Sequence, residues 1–216
     1  MKTEDFITTL VKEGARKPFP KPSKVTLGWL LTITAYFWLV VAFYGTRPDM
    51  SVKLTQPVYL TEILVMTITA IMAAWAASWL ALPDADQKSW LRFLPFIPLA
   101  FLMGMLVYGM FTNSTLTLSE CLKLGRYDCI MRIVLYSLLP CGFMFYSIQK
   151  AAPVRCCWAG TMAGLSIASF GYILLRIIGR SDDPTQLLVW NFLPVFLMMA
   201  IGMVIGQSYL GRIWQS

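Results

Sequence analysis

Six stretches of roughly 20 residues run through this chain almost without charge, at approximately 27–45, 58–82, 93–111, 129–148, 156–177 and 187–210. A helix rises about 1.5 Å per residue, so each is long enough to cross a hydrocarbon layer of about 30 Å. The runs do not alternate apolar and polar residues, as the strands of a lipid-facing barrel must. The expected fold is therefore an all-α membrane protein, with six transmembrane helices in residues 25–216 and a polar tail over 1–24. Arg132 makes the fourth run the weakest, although it stands close enough to the end for its side chain to snorkel.

Charge supplies the orientation. Only 13% of the 216 residues are charged and 57% are hydrophobic, against roughly a quarter charged in a soluble domain. Lys and Arg on alternate sides of the six runs number 11 and 7. The larger group comprises the tail, the second and fourth loops and Arg212, so the positive-inside rule predicts both termini in the cytoplasm. The loops near 46–57, 112–128 and 178–186 then face outward. The first 24 residues are polar and the first apolar run is long, a pattern that predicts retention of the N-terminus rather than cleavage of a signal peptide.

The composition also removes chemistry. With no histidine, a Ser-His-Asp or Cys-His nucleophile, a histidine proton relay and most catalytic zinc sites are unavailable to this chain. No carboxylate pair, phosphate loop or dinucleotide fingerprint is present, so neither an enzyme nor a bound cofactor is expected. The net charge of +7 is explained by basic residues flanking the apolar runs, and direct nucleic-acid binding is not expected.

Residues 3 to 13 read as a short amphipathic helix. Thr3 can cap it, Glu4 and Asp5 suit the positive end of its dipole, and Phe6, Ile7, Leu10 and Val11 share one face. Gly14 is a natural stop, and Pro18, Pro20 and Pro22 favour an extended spacer beside Lys17, Lys21 and Lys24. Two placements fit: flat on the bilayer, or folded into the groove of a soluble partner. The acidic residues Glu4, Asp5 and Glu13 oppose the first, and a helix of about 11 residues, marginal alone, gains from the second.

Of the five cysteines, Cys121 and Cys129 fall on the outward side, eight residues apart. Two readings stand: an oxidisable pair closing a loop worth about 2–3 kcal/mol, or two unrelated small residues at a membrane edge. Cys141 falls mid-span, and Cys156 and Cys157 at the cytoplasmic start of span five. Gly160 and Gly164, like Gly202 and Gly206, are spaced to let helices approach closely. Few ionisable groups enter the spans: Glu62, Arg132 and Arg176 lie near outer ends, and Asn191 with Pro194 makes a weak polar break in span six. That scarcity argues against ion-coupled transport while leaving a small lipid or solute transporter as the alternative.

Several separated stretches together resemble one family. Met1-Lys2-Thr3-Glu4-Asp5-Phe6-Ile7 is similar to a start that usually reads MKTDDLI, and Arg47-Pro48-Asp49-Met50 to an RPDL element. Cys129-Ile130 with Ile133 and Pro140 follows a CL..I......P stretch. Ala152-Pro153, Ala159-Gly160 and Ala163-Gly164-Leu165 follow an AP......AG..AGL run, and Trp190 and Gly211-Arg212-Ile213-Trp214 also fit. The family is the NrsF-like (negative regulator of sigma F) anti-sigma factors of the Gram-negative inner membrane.

The resemblance implies six membrane spans and a cytoplasmic N-terminal segment that sequesters an extracytoplasmic-function sigma factor. It also implies periplasmic cysteines needed for the response to stress by oxidants or heavy metals. Asp5, Phe6, Ile7 and Leu10, with Val11 on the same face, would contact the sigma factor, and Cys129 would be a sensing thiol or metal ligand. The chain departs from the family after span five, where a second cysteine is usual in an HC..D context. Here the segment reads Ile177-Ile178-Gly179-Arg180-Ser181-Asp182-Asp183, which leaves Cys121 as the nearby substitute.

Overall fold

The computed structural model describes residues 22–82, 90–114, 117–123, 127–149, 156–179 and 182–210. Among them every regular element is helical. The elements are α1 (Pro22–Tyr44), a single turn α2 (Met50–Lys53), α3 (Pro57–Leu80), α4 (Phe96–Asn113), α5 (Leu118–Lys123), α6 (Tyr127–Gln149) and α7 (Cys156–Ile178). A last composite helix consists of α8 (Pro184–Gln186), a π-helical stretch Leu187–Phe192, α9 (Leu193–Ile205) and a second π-helical stretch Gly206–Leu210.

Five helices are long and apolar enough to cross a membrane: Pro22–Tyr44, Pro57–Leu80, Trp90–Asn113, Cys156–Ile178 and Pro184–Ser208. They fall on five of the six expected runs. On the fourth run, α6 is a continuous helix of 23 residues, but its described apolar stretch is shorter, Val134–Met144. The tail segment 1–21, with its amphipathic pattern, lies outside the described residues. α1 begins at Pro22, three residues inside the stretch read as spacer and tail. A proline is well accommodated at the first helical position, where its missing N–H costs nothing.

Local chemistry sets the other boundaries. Gly45 ends α1 in the left-handed conformation (φ 73°), and its N–H returns to the Val41 carbonyl at 2.8 Å, a glycine C-cap. Pro57 opens α3. Asp183 caps α8, its carboxylate accepting from the Thr185 and Gln186 amides, with Pro184 in the first turn. Before Pro194, which has no N–H to give, the helix widens, and the Leu193 N–H reaches back five residues to the Leu188 carbonyl. The polar break seen at Asn191 and Pro194 is thus a π-helical turn, a form concentrated at irregular and functional positions.

The bundle is arranged around α7, which touches α1, α3, α6 and α9. Its inner face is built from small residues, Ala159, Gly160, Ala163, Gly164 and Ala168, and α3 meets it with Ala70, Ala73, Ala74 and Ala77. Large side chains such as Leu31, Trp38 and Phe43 of α1 or Phe101 and Phe111 of α4 point outward. In a bilayer apolar burial gives helices no reason to prefer each other over lipid, so close backbone approach supplies the attraction. At the α7–α9 crossing, a Cβ on Gly160 would meet the Gly202 carbonyl oxygen. One on Gly164 would meet that of Met198, and one on Gly206 that of Cys156. These glycine faces are occupied by each other within the chain.

Candidate functional site

At one end of the bundle the loop 45–56, the start of α3, the end of α7 and the segment before α8 converge on a cluster of six charged side chains. Arg47, 3% exposed, directs its guanidinium at two carboxylates at once. Nε and Nη2 donate to the two oxygens of Asp49, each at 2.7 Å. Nη1 and Nη2 donate to the two oxygens of Asp182, at 3.0 and 2.8 Å. The Arg47 amide also binds the Ile177 carbonyl at 3.0 Å, tying the loop to the end of α7. The planar fork makes this double bidentate contact possible, and a lysine would lose it.

Asp182 is shared. Besides Arg47 it receives Arg176 Nη1 at 3.1 Å and stands 3.1 Å from Lys53 Nζ, so both oxygens meet two cations each. Arg176 and Glu62 lie deeper, at 4% and 2% exposure. Arg176 Nη2 donates to Glu62 Oε2 at 2.9 Å, and its Nε lies 2.7 Å from Oε1. Tyr172 donates its hydroxyl to the same Oε1. The Tyr59 hydroxyl donates to the Arg176 carbonyl at 3.0 Å, and its ring lies under the Arg176 guanidinium, 4.9 Å from the centroid.

Three cations, Arg47, Lys53 and Arg176, thus face three carboxylates, Asp49, Glu62 and Asp182. Burial alone would raise the Asp182 carboxyl, but the donors from Arg47, Lys53 and Arg176 hold it well below the usual carboxylate range. Hydrogen bonds to Asp182 and Asp49 push Arg47 further up, and the Arg47 donors lower Asp49. Buried ion pairs need full hydrogen bonding to offset desolvation, and their best-attested role is to fix one arrangement over others. Here the arrangement joins four parts of the chain.

Beside the cluster, Ser114 donates to Asp183 at 3.0 Å and lies 2.6 Å from the Thr185 hydroxyl, joining the end of α4 to α8. Thr117 and Glu120 form a reciprocal cap on α5: the Thr117 amide donates to Glu120 at 2.9 Å and the Glu120 amide to the Thr117 hydroxyl at 3.4 Å. Cys121 follows, 2% exposed, its carbonyl accepting from Trp190 Nε1 at 3.1 Å.

Residues 11–211 match the family described as NrsF, negative regulator of sigma F. The chain belongs to the NrsF family. As its name states, this is a family of negative regulators of a sigma factor, that is, of anti-sigma factors, so the chain is regulatory in kind and its partner a sigma factor. No curated protein and no solved structure matches the chain. Of the five tail residues expected at a partner interface, only Val11 falls inside the matched range. All five, Asp5, Phe6, Ile7, Leu10 and Val11, lie outside the described residues. Cys121 is placed as above, while Cys129 lies in α6 with its side chain outside the described set. Among the described residues no group of His, Cys, Asp and Glu is arranged to hold a metal ion.

The ion cluster is what sequence reasoning missed. Arg47 and Asp49 stood in the NrsF-like RPDL element, and Asp182 in the segment noted for its missing cysteine. Glu62 and Arg176 were placed near outer span ends but not paired. The available signal was their depth: opposite charges at the same end of two apolar helices are costly apart and satisfied together.

Proposed function

We propose that this chain is a six-span anti-sigma factor of the bacterial inner membrane with both termini in the cytoplasm. It sequesters an extracytoplasmic-function sigma factor through its N-terminal segment and releases it when the periplasmic side is perturbed by oxidant or heavy metal. The observation that carries the reading is the family match over residues 11–211. It is supported by the five apolar helices and by α6, whose 23 residues extend about 35 Å at the helical rise. Six crossings also put Arg47, Ser114 and Asp183 at one end, as their contacts with the segment before α8 and its first turn require.

In this reading the soluble matter of the chain lies mainly in the tail, where nine of its 29 charged residues fall within the first 24 positions. Asp5 and the apolar face of Phe6, Ile7, Leu10 and Val11 bind the sigma factor. Cys129, with Cys121, provides the sensing thiols, and no step is catalytic. Release is a population shift between tail-exposed and tail-hidden states, which from 99:1 to 1:99 requires about 5.5 kcal/mol of differential interaction.

Affinity purification from membranes tests the anti-sigma reading. The intact chain should retain a sigma factor, and a Phe6→Ala/Leu10→Ala variant should lose it. Recovery of none with the intact chain overturns the reading, whereas undiminished recovery with the variant relocates the interface. For the thiols, Cys129→Ser should abolish induction of the partner's genes by oxidants or heavy metals, and an unchanged response leaves Cys129 structural.

A further inference from the structure

At the other end of α7 from the ion cluster stands a half-buried cation, Arg92. It lies in the helical turn that leads into α4, where the Phe93 amide donates to the Trp90 carbonyl at 3.0 Å. Its guanidinium carbon is 4.7 Å from the ring centroid of Phe93 and 5.3 Å from that of Trp158, near the start of α7. The two rings meet edge to face, 5.8 Å apart. Aromatic faces attract a cation, so the pair fixes the side chain between the entry to α4 and the central helix.

The rings do not supply what a guanidinium needs, oxygen acceptors for its N–H donors. Nε is sealed from solvent without a hydrogen-bond partner. Among the described residues no carboxylate pairs with Arg92, whereas Arg47, Lys53 and Arg176 at the far end all have one. A partly buried charge in a native fold is ordinarily paired, so this open donor set marks the place of an anion. Its position says which kind. Trp90 and Phe93 beside it are exposed, at the first turn of the apolar helix Trp90–Asn113, and exposed aromatic residues at such a helix end take the headgroup level of a bilayer. From there Phe93, Ile97 and Phe101, all exposed, follow one another at four-residue intervals along one face. An anion at Arg92 thus stands at the head of an apolar track about 12 Å long at the helical rise.

We infer that Arg92, held by Phe93 and Trp158, binds the headgroup phosphate of an anionic phospholipid whose acyl chain lies along Phe93, Ile97 and Phe101. The terminal nitrogens of the guanidinium donate to the phosphate oxygens, a contact that suits its planar fork. An anionic lipid is preferred to phosphatidylcholine, which carries its own cation beside the phosphate. A free phosphate ion would use the guanidinium and leave the apolar track unused. Lys24, exposed at the start of α1 at the same end, adds attraction without a fixed geometry. The bound headgroup completes the contact between the entry to α4 and α7. The inference rests on the membrane-spanning part of the proposed function and not on the anti-sigma part.

The test uses the full-length protein in nanodiscs of mixed phosphatidylcholine and phosphatidylglycerol, with retained lipid read by native mass spectrometry. The intact protein should retain phosphatidylglycerol in preference. Arg92→Met should weaken that retention about tenfold, as expected for loss of a hydrogen bond between charged groups. Arg92→Lys keeps the charge and loses the fork, so it should weaken it less, and it remains decisive if Arg92→Met melts early. Lys24→Met should leave retention nearly unchanged. No preference in the intact protein, retention unchanged in both Arg92 variants, or an equal loss in Lys24→Met overturns the inference. So does saturable binding of inorganic phosphate in phosphatidylcholine discs without any preference for phosphatidylglycerol, which would mean a free ion. Asp84 and Asp86 of the preceding loop lie outside the described residues; retention that appears only in Asp84→Asn/Asp86→Asn would give the acceptor role to that loop and also overturn it. None of these outcomes touches the anti-sigma reading.

Discussion

Arg47 and Asp182, 135 positions apart in the sequence, meet through two nearly parallel hydrogen bonds of 3.0 and 2.8 Å. The Arg47 side chain is 1% exposed and that of Asp182 34%, so the pair closes the loop after α1 onto the segment before α8 with the arginine sealed beneath. Replacing Arg47 by Ala leaves Asp182 with Lys53 and Arg176, and the loop with its backbone bond to Ile177, but removes the four guanidinium bonds to Asp49 and Asp182. The expected loss is about 3 kcal/mol, in the range for breaking a buried pair. Arg47→Lys should fall between wild type and Arg47→Ala, because it keeps the charge and loses the fork. Thermal unfolding in detergent, followed by circular dichroism, measures both; equal midpoints for the Lys and Ala variants would contradict the bidentate account.

Glu62 and Arg176 lend themselves to a double-mutant cycle. Each lies inside an apolar helix; Arg176→Met leaves the Glu62 carboxylate without its cation, and Glu62→Leu leaves Arg176 with Asp182 but without its nearer carboxylate, so the two should destabilise the protein by about 3–5 kcal/mol, the first more than the second. The double variant leaves no buried charge in that pair and should be less destabilised than the sum by about 2 kcal/mol. In the double variant Tyr172 has lost Glu62 and Asp182 has lost Arg176, so full recovery is not expected. Additive losses would mean that the two side chains do not act as a unit.

The pH response follows from Asp182. Its carboxyl is held low, despite the burial that raises it, by donors from Arg47, Lys53 and Arg176. A group depressed on folding contributes stability that is complete above its unfolded pKa, about 3.9, and is lost as pH falls through the folded value. With no histidine in the chain, the melting midpoint should be level between about pH 5 and 8 and fall below about pH 4. Asp182→Asn should start lower and decline less steeply on the acid side. A midpoint that changes between pH 5 and 7 would place the controlling group elsewhere.

Helices were legible in the sequence because apolar length is a one-dimensional property: α3 and α7 begin and end within three residues of the runs that announced them. α6 was harder to read, since Arg132 and Pro140 interrupt a run whose described apolar core is only Val134–Met144. The ion cluster was not legible, because pairing Glu62 with Arg176 needs the relative depth and rotation of two helices 114 positions apart. Asp182 illustrates the same limit. In sequence it stands beside Asp183, yet one links Arg47, Lys53 and Arg176 while the other caps α8.

The glycines offer the sharpest contrast within one residue type. At Gly164 a Cβ would meet the Met198 carbonyl of α9, whereas at Gly104 in α4 it would meet nothing within 4 Å. Gly164→Ala must push two backbones apart and should cost about 1–3 kcal/mol, the usual range for overpacking. Gly104→Ala adds only helix propensity and should gain up to about 1 kcal/mol. Gly202→Ala should resemble Gly164→Ala, since its Cβ would meet the Gly160 carbonyl oxygen from the other side of the crossing. Combining Gly164→Ala with Gly202→Ala should cost less than the sum, because the first separation of α7 from α9 already makes room for the second methyl. Melting midpoints of the four variants check this, and a Gly164→Ala protein as stable as the Gly104→Ala one would show that the α7–α9 crossing has room the glycine contacts deny.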